Sequence, residues 1–329
     1  MSSQNNEKKN SKTKKEETIL GQYQIVEVIG KVEFGTIYKA INLESSELVA
    51  VNSIPLSRLT QSDLRSIENQ IDLLKKLDNP YIVKYLGSVK TQTHIYIIFE
   101  FVERGSLQKL LEQESRFTEA LVAKYIYQTL KVLSYLHVQG VIHRDIKGAN
   151  LLLTIEGSIK LTGFRLSTTV GQMSNNSSIV GTPYWMAPEV IELQTTTTSC
   201  DIWSLGCTVI ELLTGNPPYF NLAPMQVLFK IVQDDCPPIP EGFSSDCRSF
   251  LLECFQKDPN LRIGARKLRK HPWMRKAAKD LKKTKENENE KENEKENEKE
   301  NENEQENENE KEKEKENEKE NEKEKEKEK

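Results

Sequence analysis

Between His143 and Asn150 the string HRDIKGAN sets an imidazole, a guanidinium, a carboxylate, an ammonium and an amide within eight residues. A carboxylate such as Asp145 can take a proton from a hydroxyl, and the side chains of Lys147 and Asn150 offer a cation and an amide beside it. A second stretch, Ile29, Gly30, Lys31, Val32, Glu33, Phe34 and Gly35, brackets a short turn with glycines, the residue type that lets a backbone approach a ligand closely. Two further strings stand out downstream, GTPYWMAPEV at 181–190 and DIWSLGC at 201–207. Cys200, Cys207, Cys236, Cys247 and Cys254 contain no CxxC pair and are odd in number, which reads as scattered thiols of a reduced protein rather than a metal site or a disulfide framework.

The elements that must position these groups are legible as two kinds of period. YQIVEVIG, TIYKAINL, ELVAVNSI, YIVKYLGSV and HIYIIFEFV read as strands separated by turns. The stretch DLRSIENQIDLLKKL, lying among them, has apolar residues at three- and four-residue spacing and reads as a helix. From Ser106 onward the periods are mostly helical, in LQKLLEQE, ALVAKYIYQTLKVLSYLHVQG, SCDIWSLGCTVIELLTG and MQVLFKIVQ. A small β-rich lobe thus precedes a larger α-rich one, and a cleft is expected between them.

Charge is distributed unevenly. Residues 285–329 hold 12 Lys, 22 Glu, 10 Asn and one Gln with no apolar side chain, so this segment cannot bury a core. Its net charge of −10, set against −4 for the whole chain, leaves residues 1–284 at +6. A mildly basic globular part lacks the concentrated Lys/Arg face that nucleic acid requires, and no nucleic-acid partner is expected. Lys291, Lys295 and Lys299 repeat at a period of four with Glu flanking, which supports a solvated helix weakly, while recurring Asn opposes it. The N-terminus has no apolar leader core, and no run reaches the ~18 apolar residues of a membrane span. The expectation is a soluble intracellular protein, cytoplasmic, with no membrane partner.

In order and spacing, HRDIKGANLL, GTPYWMAPEV and DIWSLGC resemble the protein kinases. The resemblance covers residues 23–274 and is closest to the sterile-kinase branch, in particular MAP kinase kinase kinases and the related septation or mitotic-exit kinases. Lys147, two places after Asp145, fits the serine/threonine type. This resemblance implies an α+β, two-lobed kinase fold, with an N-lobe over 23–101 and a C-lobe over 102–274. Residues 1–22 would be a polar extension and 275–329 a charged low-complexity tail. It also implies a base at Asp145 and a γ-phosphate contact at Lys147, with Arg144 beside the base. Ile37, Ala50 and Leu152 would flank adenine, and Phe99 would stand as gatekeeper. Leu74, Tyr85, His143 and Phe164 would stack through the core, His143 as a core histidine. Glu189 and Arg262 would form the large-lobe ion pair, and Asp201 would anchor the catalytic loop.

Phosphoryl transfer in such a fold is positioning and charge neutralisation, by a loop, a lysine, two metal ions and a base. The chain departs from that pattern at several places. Val32 stands at the middle glycine of the loop, where its β-branch resists the geometry, and Glu33 puts a carboxylate where phosphate would lie. The string VAVN ends in Asn52 where the family has lysine, and no lysine occurs between Lys39 and Lys75. Gln70 stands at the position of the glutamate that partners that lysine. After SIKL, Thr162, Gly163, Phe164 and Arg165 put glycine at the metal aspartate, leaving Asn150 as the one matching metal ligand. Arg165 adds a fixed positive charge near the cleft, where it could stand in for part of the metal's.

From these departures the sequence reading expects an inactive homologue, a pseudokinase acting as scaffold or allosteric partner of other proteins, an active kinase among them, and requiring no cofactor. In it Asp145, Lys147, Asn150 and Arg144 persist as a structural loop. Ser174, Ser177, Ser178 and Thr182 are its candidate phosphorylation sites. Two alternatives stand beside it. One is a weak or unorthodox ATP-dependent kinase in which Lys31, Lys39 or Arg165 replaces the lost cations. The other is a protein that binds nucleotide, weakly or without metal, and does not transfer phosphate.

Overall fold

The computed structural model describes residues 19–114, 116–170, 182–284 and 286. Six strands form one antiparallel sheet: β1 (Ile19–Leu20), β2 (Tyr23–Val32), β3 (Gly35–Asn42), β4 (Leu48–Pro55), β5 (Tyr85–Lys90) and β6 (His94–Glu100), in the order β1-β2-β3-β4-β6-β5. Between β4 and β5 runs α1 (Gln61–Leu74). Its first turn is closed by a capping box, in which the Thr60 hydroxyl accepts from the Asp63 amide while the Asp63 carboxylate accepts from the Thr60 amide. Ile67, Ile71 and Leu74, spaced four and three apart, fall on one face of α1 and are buried. Ile67 and Ile71 meet Ile54, Ile95 and Ile97 from the sheet, with Phe34, Tyr85 and Phe99 packed at the edge of this cluster.

The larger lobe is helical: α2 (Leu107–Glu114), α3 (Glu119–Val138), α4 (Pro188–Ile191), α5 (Ser199–Thr214), α6 (Pro224–Gln233), α7 (Ser245–Cys254) and α8 (Ala265–Leu268). Every residue of α5 from Cys200 to Leu213 is buried, the signature of a helix enclosed on all sides. Four short strands accompany these helices: β7 (Val141–Ile142), β8 (Leu151–Leu153), β9 (Ile159–Leu161) and β10 (Thr168–Thr169), paired β10-β7 and β8-β9.

The stretch read as a strand over 81–89 divides. Only Tyr85–Lys90 joins the sheet, while Ile82 bridges Leu161 in parallel and the Val83 amide donates to the Leu161 carbonyl at 3.0 Å. That early segment therefore pins the small lobe to β9. Lys160 Nζ reinforces the tie by meeting Glu100 Oε1 at 2.7 Å, where β6 leaves the sheet. The α+β, two-lobed fold stands as expected. Residues 275–329 form a separate unit, of which 275–284 are helical. Residues 287–329 lie outside the described residues, as do Ser174, Ser177 and Ser178.

Candidate functional site

The loop between β7 and β8 carries HRDIKGAN, and buried Asp201 at the start of α5 sets its path. Its Oδ2 accepts from the His143 amide at 3.0 Å and contacts His137 Nε2 at 2.8 Å, and its Oδ1 accepts from the Arg144 amide at 2.8 Å. Burial alone would raise the Asp201 carboxyl, but the His137 ring and, after it, His143 with its backbone amide hold it below its ordinary value. Arg144 turns the chain with φ of 68°, in the left-handed region, and the amide pair on Asp201 holds that turn.

His143 is fully buried, with Nε2 2.9 Å from the Thr162 carbonyl and Nδ1 3.2 Å from the Asp145 amide. A carbonyl can only accept and an amide can only donate, so the ring is the neutral tautomer protonated at Nε2. Burial, which lowers its pKa, keeps it so. Its ring meets that of Phe164 edge to face at 4.8 Å.

Four side chains converge beyond it. Lys147 Nζ lies 2.8 Å from Asp145 Oδ1 and donates to Thr182 Oγ1 at 2.8 Å. The Thr182 hydroxyl stands 3.5 Å from Asp145 Oδ1, and Asn150 Nδ2 donates to the Asp145 carbonyl at 2.7 Å and to Oδ2 at 2.8 Å. A carboxylate, an ammonium and a hydroxyl thus share one contact. Glu211 of α5 supports the loop from beneath, accepting from the Gly148 amide at 3.0 Å and the Trp185 indole at 2.9 Å. Its carboxyl is pushed above its ordinary value by burial.

The glycine-bracketed turn is the tight hairpin joining β2 to β3, with Val32 paired to Gly35 and only Glu33 and Phe34 between. Gly35 is required by packing: a Cβ there would fall 2.4 Å from the Ser53 carbonyl oxygen and 2.9 Å from Asn52 Oδ1. Ile37 lies opposite Asn52, and Ala50 opposite Lys39 and Phe99. Asn52 Oδ1 is buried without a hydrogen-bond partner, and Gln70 is half-buried on α1. Leu152 bridges Ser106 at the start of the large lobe. Lys109 Nζ reaches from α2 to the Ile29 carbonyl at 2.6 Å.

Of the cations named from sequence, Lys31 is exposed on β2, and Lys39 lies 3.9 Å from Glu27 with its ammonium over the Phe101 ring. Arg165 pairs with Glu33 and stacks on Phe34, so the Glu33 charge is neutralised within the protein rather than left facing a phosphate. Lys109, Glu100 and this Arg165–Glu33 contact were not legible beforehand as a connected set, since each joins residues at least 60 positions apart.

A metal pair of the kinase kind needs a carboxylate beside Asn150. Gly163 sits there with φ of +86°, and a Cβ on it would lie 2.5–2.7 Å from the Asn150 amide atoms, so the place an acidic side chain would leave from is already filled. Among the described residues no group of three His, Cys, Asp or Glu side chains could hold a metal ion. The residues do not fit that metal pair.

The family model described as Protein kinase domain matches residues 23–274. Cytokinesis protein sepH of Emericella nidulans is 56% identical over 255 residues, covering 78% of this chain and 19% of the relative. Cell division control protein 7 of Schizosaccharomyces pombe is 54% identical over 246 residues, 75% of this chain and 23% of the relative. MAP3K epsilon protein kinase 1 of Arabidopsis thaliana is 51% identical over 270 residues, 81% and 20%. The chain therefore spans about a fifth of the length of these curated relatives.

These relatives overturn the expectation of an inactive, non-enzymatic scaffold, since a protein named as a kinase matches four-fifths of the chain at 51% identity. The physical reason lies in the charges that remain. The neutral residues at 52, 70 and 163 led to reading Asp145, Lys147 and Asn150 as a structural remnant, whereas they join Thr182 in one charged group held in place by Asp201. A profile match over 252 residues, relatives above half identity and a two-lobed fold around that loop agree: the chain belongs to the protein kinase domain family.

Proposed function

We propose that this chain is an ATP-dependent serine/threonine-protein kinase with unorthodox phosphate handling, acting on protein substrates. The carrying observation is the Asp145 carboxylate, which holds the Lys147 ammonium at 2.8 Å and a threonine hydroxyl at 3.5 Å in one cluster. An acceptor hydroxyl placed like that of Thr182 gives its proton to Asp145 as its oxygen bonds to the γ-phosphorus. The bond from that phosphorus to the β,γ-bridging oxygen breaks, and ADP leaves. Lys147 stands beside the base, where it can balance the charge of the transferring group. The names of the relatives support this reading, as does a loop geometry fixed by buried Asp201 and Glu211.

The test is incubation of the full chain with γ-labelled ATP and serine- and threonine-containing peptides, with Mg²⁺, with Mn²⁺ and with chelator. Label on serine or threonine is the expected result. ATP binding without any label transfer would reduce the chain to a nucleotide-binding protein and overturn the proposal.

A further inference from the structure

Arg165 and Glu33 are separated by 132 positions, yet they form an ion pair that joins the β2–β3 hairpin to the segment after β9. The guanidinium also lies over the Phe34 ring, with its carbon 5.1 Å from the ring centroid. Phe34 in turn packs against the cluster of Ile54, Ile67, Ile71, Ile95 and Ile97. The hairpin is therefore held down by a charge contact and an apolar one. The cations of this region are held in different ways. Lys147 is held by half-buried Asp145 and Thr182, Lys109 by a backbone carbonyl, and Lys39 by exposed Glu27 at 3.9 Å and an aromatic ring. Arg165 is held by a carboxylate that is itself 60% exposed at a hairpin tip. Asp63 of α1 also feels the charge of Arg165, although it is held below its ordinary value chiefly by Thr60.

A guanidinium is a planar, permanently charged fork that matches phosphate oxygens as well as carboxylate oxygens. At the places where a metal carboxylate and a strand lysine would act, this chain has Gly163, filled against by Asn150, and Asn52, whose buried Oδ1 lacks a donor. We propose that Arg165 holds the phosphates of the nucleotide in this cleft and that Glu33 is a built-in competitor for it. Nucleotide then enters by exchange, phosphate for carboxylate, and does not require a divalent ion. The inference rests on the reading that the cleft takes ATP.

The experiment measures ATP affinity of the full chain directly, by calorimetry or a fluorescent ATP analogue, in chelator and in Mg²⁺. It compares the wild type with Glu33→Gln, Arg165→Gln and the double variant, each checked for folding by its thermal transition. Removing the competitor should tighten binding about two- to fivefold, the scale of an exposed ion pair. Removing the guanidinium should weaken it about tenfold or more, as for a hydrogen bond to a charged group. In the double variant the Glu33 effect should vanish, and chelator should change wild-type affinity by no more than about twofold, since no metal–phosphate contact is lost.

Binding abolished by chelator, an unchanged affinity in Glu33→Gln, or no ATP binding by the wild type would each overturn the proposal. The Glu33 variant is exposed and keeps the test decisive if Arg165→Gln fails to fold. ATP bound in this way without label transfer would sink the kinase reading and leave this inference standing. Transfer that persists with affinity unchanged in Arg165→Gln would do the reverse.

Discussion

Asp201 reaches no substrate, yet it decides where Asp145 stands. Three donors converge on its carboxylate, and the resulting turn at Arg144 delivers Asp145 to Lys147 and Thr182. Because its folded pKa lies below its ordinary value of 3.8, the stability it contributes is fully present above that value. It is lost as the pH falls below 3.8 through the lower folded value. Asp201→Asn should cost about 2–3 kcal/mol near neutral pH, the scale of hydrogen bonds to a charged group, and should flatten that acid limb. Denaturant unfolding followed from pH 7 to 2.5 checks both; equal acid limbs in the two proteins would show that other carboxylates govern it. Glu189 and Arg262 answer a different need. Their bidentate contact, at 2.7 and 3.0 Å, is buried and completes the shell around Trp203 and the start of α5.

Among the elements, the β2–β3 hairpin is the one most specific to this chain. Gly35→Ala would drive a methyl into the Ser53 carbonyl and Asn52, so the lobe should lose about 1–3 kcal/mol, as for overpacking elsewhere. Thermal unfolding of the variant measures this, and an unchanged transition would mean that β3 and β4 part readily. Much of the architecture was legible because it follows from local periods. LQKLLEQE coincides with α2, and SCDIWSLGCTVIELLTG contains all of α5. The start of α1 was placed two residues late although Thr60 and Asp63 already spelled its capping box. What escaped the sequence was tertiary. Tyr81 to Lys84 looked like strand because Ile82 and Val83 are apolar, but their partner is β9 rather than β6. In the site, Asp145, Lys147 and Asn150 were picked out by the resemblance of HRDIKGAN to the kinase family. The turn of the Asn150 amide toward Asp145 and the capture of Glu33 by Arg165 were not, since neither has any local signature.

At the scale of the whole molecule, the five thiols are free, and burial raises each of their pKa values, with Cys236 pushed up to about 11. They serve packing rather than redox chemistry. Among the described residues no helix is long and apolar enough to cross a membrane. The kinase domain is carried by its two lobes and their junctions at β9, Glu100 and Lys109, which bring the HRDIKGAN loop under a hairpin of altered charge.

The central claim is that this loop still performs phosphoryl transfer. Its most direct test is the rate of label transfer from γ-labelled ATP to serine or threonine, compared between the wild-type chain and Asp145→Asn, with both proteins shown to be folded. The expected result is measurable transfer by the wild type and a loss of about 10²- to 10⁴-fold in the variant, the share a positioned base contributes. Equal rates in the two proteins, or no transfer by the wild type under any metal condition, would contradict it.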